Sequence, residues 1–328
     1  MEDQFGRKIN YLRISVTDRC NYRCVYCMPE TGVTWQAHDN IMRFEEIVQV
    51  VKSAVKVGVT KIRLTGGEPL VRPGIVELVR MLNRIPEITD ISMTTNGHLL
   101  AHQADALKEA GLKRVNISLD TFNPDLFKKI TRNGDLSQVL AGIEAAEKAG
   151  LTPIKINMVV VRGINDSEIL EFAKLTFQNP WHVRYIELMP IKNQTGWGSG
   201  FPNYEEGYIS THEMLKILEE LNLNKFQQFT NQGPATLYKA QNAKGMIGFI
   251  SPIDDDHFCA RCNRLRLTAD GHLRSCLMSE QEVDLLPAIR NGNNIDDMVQ
   301  AAIRNKPAHH FLKEKLSPND RSMMQIGG

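Results

Sequence analysis

Short runs rich in isoleucine and valine alternate with helical patterns along most of the 328-residue chain, and this alternation constrains the fold more than any other feature. Strands are expected near Tyr11–Val16, Lys61–Thr65, Asp90–Thr95, Arg114–Leu119, Ile154–Val161 and Val183–Leu188. Between them Phe44, Ile47, Val48, Val51 and Val55 keep one helical face apolar, with Gly58 as a stop. Ile75, Leu78, Val79 and Leu82 repeat the pattern, as do Leu140, Ile143 and Ala146 before Gly150. Strand, helix and strand at this spacing make parallel β/α units with right-handed crossovers. The expected class is α/β, a partial (β/α)6 TIM-type barrel, with a doubly wound sheet as the alternative. In both, ligands gather at the C-terminal ends of the strands. The chain places Asp18-Arg19-Cys20, Gly66-Gly67-Glu68-Pro69, Asn96-Gly97, Asp120 and Met189-Pro190 at those ends.

From Asn193 to Tyr208 the pattern lapses into Gly, Asn, Ser, Trp and Tyr, which predicts a long loop around Trp197. A helix is expected from Thr211 to Leu221. Beyond Asn224, β-like pieces at Ala235–Lys239, Met246–Ile250, Asn263–Leu267 and His272–Ser275 predict a small C-terminal β-containing domain closing the open side of the barrel. This divides the chain into 1–224 and 225–328.

Composition narrows the function. At 42% hydrophobic residues the chain can bury one large core or two ordinary ones. A net charge of +1 gives no global field for nucleic acid or membrane, so any basic chemistry is local. Met1 to Tyr11 is charged and lacks the apolar stretch of a signal peptide. No uncharged apolar run approaches the roughly 18 residues of a membrane span. A cytoplasmic protein is expected, where disulfides are rare and cysteines serve metal or catalysis. No G-x-x-x-x-G-K-[ST] loop is present, and Lys216 stands where H-E-x-x-H would need its second histidine after His212-Glu213.

The six cysteines fall into two threes. Cys20, Cys24 and Cys27 are spaced C-x3-C-x2-C. Cys259 and Cys262 are followed after thirteen residues by Cys276. Structural zinc needs four ligands, and His38 could complete the first set and His257 or His272 the second. A [4Fe–4S] cluster normally takes four cysteines. Held by three, it leaves one iron open to a small molecule. Arg19, Arg23 and nearby amides would offset the negative charge of the first set.

The first triad, with Tyr26 just before its last cysteine and placed after the first strand, resembles the radical S-adenosylmethionine superfamily. Gly66-Gly67-Glu68-Pro69 is similar to that superfamily's amine-binding turn. The stretches "LRISVTDRCNYRCVYCMP", "KIRLTGGEPL", "TTNG", "VNISLD", "RYIELMP", "FCARCNRLRLTADGHLRSCL" and the terminal "IGG" together resemble the GTP 3′,8-cyclases of molybdenum cofactor biosynthesis, nearly end to end.

The resemblance implies two [4Fe–4S] clusters, one on Cys20, Cys24 and Cys27 and one on Cys259, Cys262 and Cys276. S-adenosylmethionine would be held by Tyr26, the Gly67 backbone, Ser118 and Met189. GTP would bind the second cluster and be gripped by Arg13, Arg63, Thr94, Lys155, Arg264, Leu265 and Arg266, with Arg264 and Arg266 closest to the chemistry. Without the resemblance, Ser118 and Met189 read equally as strand cap and core, and a single strand arginine as a salt-bridged face. The expected partners are an external one-electron donor such as flavodoxin, a downstream cyclic pyranopterin monophosphate synthase and a second copy of the chain in a homodimer. Gly327 and Gly328 read as frayed chain on composition. The family ends in the same pair, which implies a tail threaded into the barrel mouth. Two rivals stand beside this: a peptide-modifying radical enzyme, which would favour further cysteines, and an electron carrier or zinc scaffold, which would not need the glycine turn.

Overall fold

The computed structural model describes residues 1–190, 201–226, 233–310, 312, 321 and 323–327. Six strands form the core of the sheet: β1 (Tyr11–Ser15), β2 (Lys61–Thr65), β3 (Asp90–Thr95), β4 (Arg114–Ser118), β5 (Lys155–Val160) and β6 (His182–Glu187). They lie side by side in sequence order and are all parallel. An order without reversal has no switch point. Right-handed crossovers then put every helix on one face, which favours the barrel over the doubly wound sheet.

The connecting helices are α1 (Phe44–Lys56), α2 (Ile75–Asn83), α3 (Ala104–Ala110), α4 (Pro124–Thr131), α5 (Leu136–Lys148) and α6 (Ile169–Gln178). Local chemistry sets their ends. The Glu46 carboxylate accepts the Arg43 amide at 2.6 Å to start α1. Asn123 Oδ1 accepts the Asp125 and Leu126 amides ahead of α4, with Pro124 in the first turn. Leu12, Ile14, Ile62, Leu64, Val115 and Ile117 point away from the barrel axis and are buried against these helices. In α5 the buried stripe is Val139, Ile143 and Ala146, whereas Leu140 is exposed, one position round the helix from the contact face.

Past the barrel, α7 (Tyr204–Gly207) occupies part of the expected loop, because Asn203 and Glu206 form a capping box. Trp197 lies outside the described residues. The next helix, α8 (Thr211–Ile217), ends earlier than expected and passes into a 3-10 turn at Glu219–Leu221.

The C-terminal strands are β7 (Asn224–Lys225), β8 (Thr236–Lys239), β9 (Met246–Ile250), β10 (Arg264–Leu267), β11 (His272–Arg274) and β12 (Glu282–Asp284), followed by α9 (Leu286–Arg290) and α10 (Asp296–Arg304). They continue the barrel sheet from both edges. On one side β9 pairs in parallel with β6, and on the other β10 pairs in parallel with β1. The twelve strands form one sheet that remains open between the outer ribbons.

Candidate functional site

Strand alternation decides what faces the barrel axis. The inward positions carry Arg13, Arg63, Thr65, Thr94, Ser118, Asn157, Arg184, Arg264 and Arg266, and all of these line a cavity of about 320 Å³. The six cysteines, Tyr26, Gly67 and Met189 line the same cavity. Two expected residues do not. Leu265 points to the opposite face of β10 and is fully buried in the apolar core, so only its backbone is available to a ligand. Lys155 shares the inward face of β5 with Asn157 but sits two residues nearer the strand start.

The first triad occupies the loop after β1. Cys27 and Met28 amides donate to the Cys24 carbonyl at 2.9 and 3.0 Å, which folds the loop into a turn. The Arg23 and Val25 amides donate to the carbonyls of Thr131 and Ile130, seating that turn on the end of α4. Arg132 closes the seat, its Nη1 reaching the Arg23 and Met28 carbonyls at 2.8 and 2.9 Å. Its φ of 60° is a left-handed conformation that side chains adopt at a cost, and this grip holds it there. Burial pushes the Cys20 thiol up to about 12 and the Cys27 thiol up to about 11. A coordinating metal reverses that preference, because a bound thiol is deprotonated outright.

The Gly66-Gly67 turn lies against this loop. Gly67 donates to the Thr17 carbonyl and Glu68 to the Arg19 carbonyl, each at 2.8 Å. A Cβ on Gly67 would stand 2.3 Å from the Arg19 carbonyl oxygen, so only glycine permits the approach. Glu68 then ties β2 to β3 by accepting from Thr95 Oγ1 at 2.7 Å and the Asn96 amide at 2.6 Å. Burial raises its carboxyl to about 7. Tyr26 donates to Asp120 at 2.6 Å, and Asp120 in turn accepts the Val159 amide at 2.8 Å. The phenol is thereby fixed at the tips of β4 and β5.

The second triad is electrostatically mixed: burial raises the Cys259 thiol as in the first triad, whereas Cys262 goes the other way. The Cys262 amide donates to the Cys259 carbonyl at 3.0 Å, and Cys276 follows β11. Burial would raise the Cys262 thiol, but the charges of Arg264 and Lys306 outweigh it and bring the thiol down to about 6. Arg264 Nη2 stands 3.6 Å from that sulfur. Among the described residues no three His, Cys, Asp or Glu side chains close around a single ion, as a mononuclear zinc site requires. The thiols of a cubane instead bind different irons and stand further apart.

Between the triads runs a row of cations. Arg13 lies opposite Arg266 on one side and Arg63 on the other. Arg63 reaches Ser92 Oγ at 3.3 Å and stacks 5.4 Å from the Tyr11 ring centroid. Burial, reinforced by Arg266 and Arg63, depresses the Arg13 guanidinium well below its usual range. Burial likewise brings Arg184 and Arg266 to about 9. It brings Lys155 to about 6, with Arg184, Arg114 and Arg63 adding to the effect. Arg184 Nε and Nη2 and Asn157 Oδ1 are buried without hydrogen-bond partners. Clustered, partly unsatisfied cations are costly alone and complement a polyanion. Sequence reasoning missed Arg184 and Asn157, and it set Asp120 and Glu68 at the strand ends without finding their partners. The inward parity of β5 and β6 would have found the first two.

The last described residues reach this wall. Arg266 Nη1 donates to the Gly327 carbonyl at 2.8 Å, and Met323 and Met324 line the cavity. Gly328 lies outside the described residues.

Comparison with known proteins agrees with this geometry. The profile of the Radical SAM superfamily matches residues 14–176, and that of Molybdenum Cofactor Synthesis C matches residues 181–312. The fold is similar to that of Streptococcus suis SuiB bound to S-adenosylmethionine, with a TM-score of 0.63 at 12% identity, covering 89% of this chain and 65% of SuiB. This chain thus spans just under two thirds of that protein. Fold and cysteine loop define a radical S-adenosylmethionine protein. The chain is 47% identical over 330 residues to the GTP 3′,8-cyclase of Alkaliphilus metalliredigens and 50% identical over 329 residues to that of Clostridium botulinum strain Hall. It is also 48% identical over 332 residues to that of Moorella thermoacetica, and each match covers all of both chains. It belongs to the GTP 3′,8-cyclase family.

Proposed function

We infer that the chain is a radical S-adenosylmethionine enzyme that joins ribose C3′ of GTP to guanine C8, the first step of molybdenum cofactor biosynthesis. The observation that carries this is the single cavity walled at one end by Cys20, Cys24 and Cys27, at the other by Cys259, Cys262 and Cys276, and between them by buried arginines. Each triad has the donor set of a [4Fe–4S] cluster with one iron open, and the two-cluster count is part of the proposal.

When bound, the first cluster and S-adenosylmethionine supply a 5′-deoxyadenosyl radical. The chain's own residues do the rest. Tyr26, held by Asp120, the Gly67 backbone, Ser118 and Met189 position the cofactor. Arg13, Arg63, Thr94 and Arg184 hold the triphosphate from the cavity lining, since guanidinium forks match phosphate oxygens, and Lys155 adds its charge from the start of β5 on the same inward face. Arg264 and Arg266 orient the nucleotide beside the second triad, where a cluster held by Cys259, Cys262 and Cys276 would supply an open iron for guanine. The buried walls exclude water from the reacting ribose. One hydrogen atom leaves C3′, the C3′–C8 bond forms, and one electron and one proton complete the product, which is isomeric with GTP.

The cofactor-binding part is assigned to 1–224 and the substrate-cluster part to 225–328. Two electrons are needed per turnover, one for cofactor cleavage and one to complete the product; both come from an external one-electron donor such as flavodoxin, and the product passes to a cyclic pyranopterin monophosphate synthase. The chain works in the cytoplasm. Among the described residues no helix is long and apolar enough to cross a membrane. The reading is tested by anaerobic incubation with GTP, S-adenosylmethionine and dithionite. A product with the mass of GTP and a shifted retention supports it; intact GTP beside cleaved cofactor contradicts it.

A further inference from the structure

Lys306 is only 1% exposed, although it follows α10 near the end of the described chain. Its ammonium is satisfied by two backbone carbonyls. Nζ donates to the Arg264 carbonyl at 3.0 Å and, at shorter range, to the Ser275 carbonyl. Those carbonyls belong to residues flanking the second triad: Arg264 is two positions past Cys262, and Ser275 directly precedes Cys276. One cation therefore joins the two chain segments that present these thiols.

The third cysteine is reached from the same stretch of chain. Arg7 is buried, with Nε held by Asp3 at 2.6 Å. Its Nη1 donates to the Cys259 carbonyl at 3.1 Å and the Ala308 carbonyl at 2.9 Å, and its Nη2 to the Pro307 carbonyl at 2.6 Å. The His310 backbone reaches the Cys259 thiol. Residues 306–310 thus run as a strap beside all three ligands, fixed at one end by Lys306 and beside it by Arg7. A lysine buried solely for stability would be a poor choice, since an apolar side chain of similar length avoids the desolvation cost. Its use here is explained by the negative charge of three thiolates and a cluster, which need nearby cations and N–H donors.

We propose that Lys306 is a positioning residue for the metal cluster of the second triad, fixing through two carbonyls the separation of Cys262 and Cys276 and lending the site positive charge. This rests on the second triad holding a cluster, as proposed above.

The test isolates that triad. In a full-length chain with Cys20, Cys24 and Cys27 changed to Ala, anaerobic reconstitution gives about four irons per chain and a reduced-cluster paramagnetic resonance signal. Adding Lys306→Met should at least roughly halve the iron and shift the signal of what remains. In the otherwise unaltered chain, Lys306→Met should keep about four irons on the first triad, with at most roughly two more on the second, and keep cofactor cleavage. If the Lys306→Met chain holds the parent's iron with the parent's signal, the proposal is overturned. It is overturned equally if both clusters are lost together, because Lys306 is then a general stabiliser. A parent without iron overturns the second-cluster reading itself, and this inference with it.

Discussion

Arg266, in the strand that closes one edge of the barrel, donates to the carbonyl of Gly327 at 2.8 Å. These residues are 61 positions apart, and the contact brings the last described residues onto the arginine-lined wall of the cavity. Gly327 has a φ of 66°, and a Cβ there would meet Thr65 Cγ2 at 2.8 Å. The backbone therefore fits between Ser15, Thr65 and Arg266 because it carries no side chain.

Gly327→Val should lower cyclised product at least about tenfold, since displacing groups near a reacting centre by about 1 Å costs up to a hundredfold in rate. Iron content and melting temperature should stay at the parent values, because no cluster ligand is changed. Product formation at the parent rate would return the tail to a passive role.

The first triad is tested by replacing Cys20, Cys24 and Cys27 with Ala. About four irons per chain should remain and S-adenosylmethionine cleavage should vanish. Iron still near eight, or near zero, is inconsistent with two independent clusters.

Arg63→Ala and Arg184→Ala should each weaken GTP binding roughly ten- to hundredfold, since a charge-assisted hydrogen bond contributes about 1.5–3 kcal/mol. Both variants should keep their iron and their cofactor cleavage in the absence of GTP. Unchanged GTP affinity in isothermal titration would make these arginines structural.

Lys155 gives a pH signature. Burial and neighbouring guanidinium groups bring its ammonium down to about 6 in the free chain. A bound triphosphate favours the charged form, so GTP binding at pH 7.5 should take up close to one proton through this side chain. Affinity should then fall as pH rises above about 6, by at most about tenfold per pH unit. Calorimetry in buffers of different ionisation enthalpy measures the uptake, and Lys155→Met should abolish it. Uptake unchanged by that substitution would place the proton elsewhere.

The barrel and both cysteine triads were legible because their signals are local. Strand parity in "YLRIS" and "KIRLT" already separates Leu12, Ile14, Ile62 and Leu64, which pack outward, from Arg13 and Arg63, which face the axis. The pairing of β10 with β1 was not legible, because it joins Arg264 to Tyr11 across most of the chain and no local pattern encodes it. The same holds for Glu68, whose partners Thr95 and Asn96 come from the next strand, and for Asp120, whose role appears only with Tyr26 beside it. The family resemblance sets Leu265 among the nucleotide contacts, yet alternation sends its side chain into the core and leaves only its backbone to a ligand.

The central claim is that one cavity brings a 5′-deoxyadenosyl radical to C3′ of GTP. It is tested most directly with GTP carrying deuterium at C3′, incubated anaerobically with S-adenosylmethionine, dithionite and the reconstituted chain. 5′-Deoxyadenosine recovered from the reaction should contain the deuterium, and the cyclised product should have lost it. 5′-Deoxyadenosine free of deuterium, formed alongside product that keeps the label, would contradict the claim.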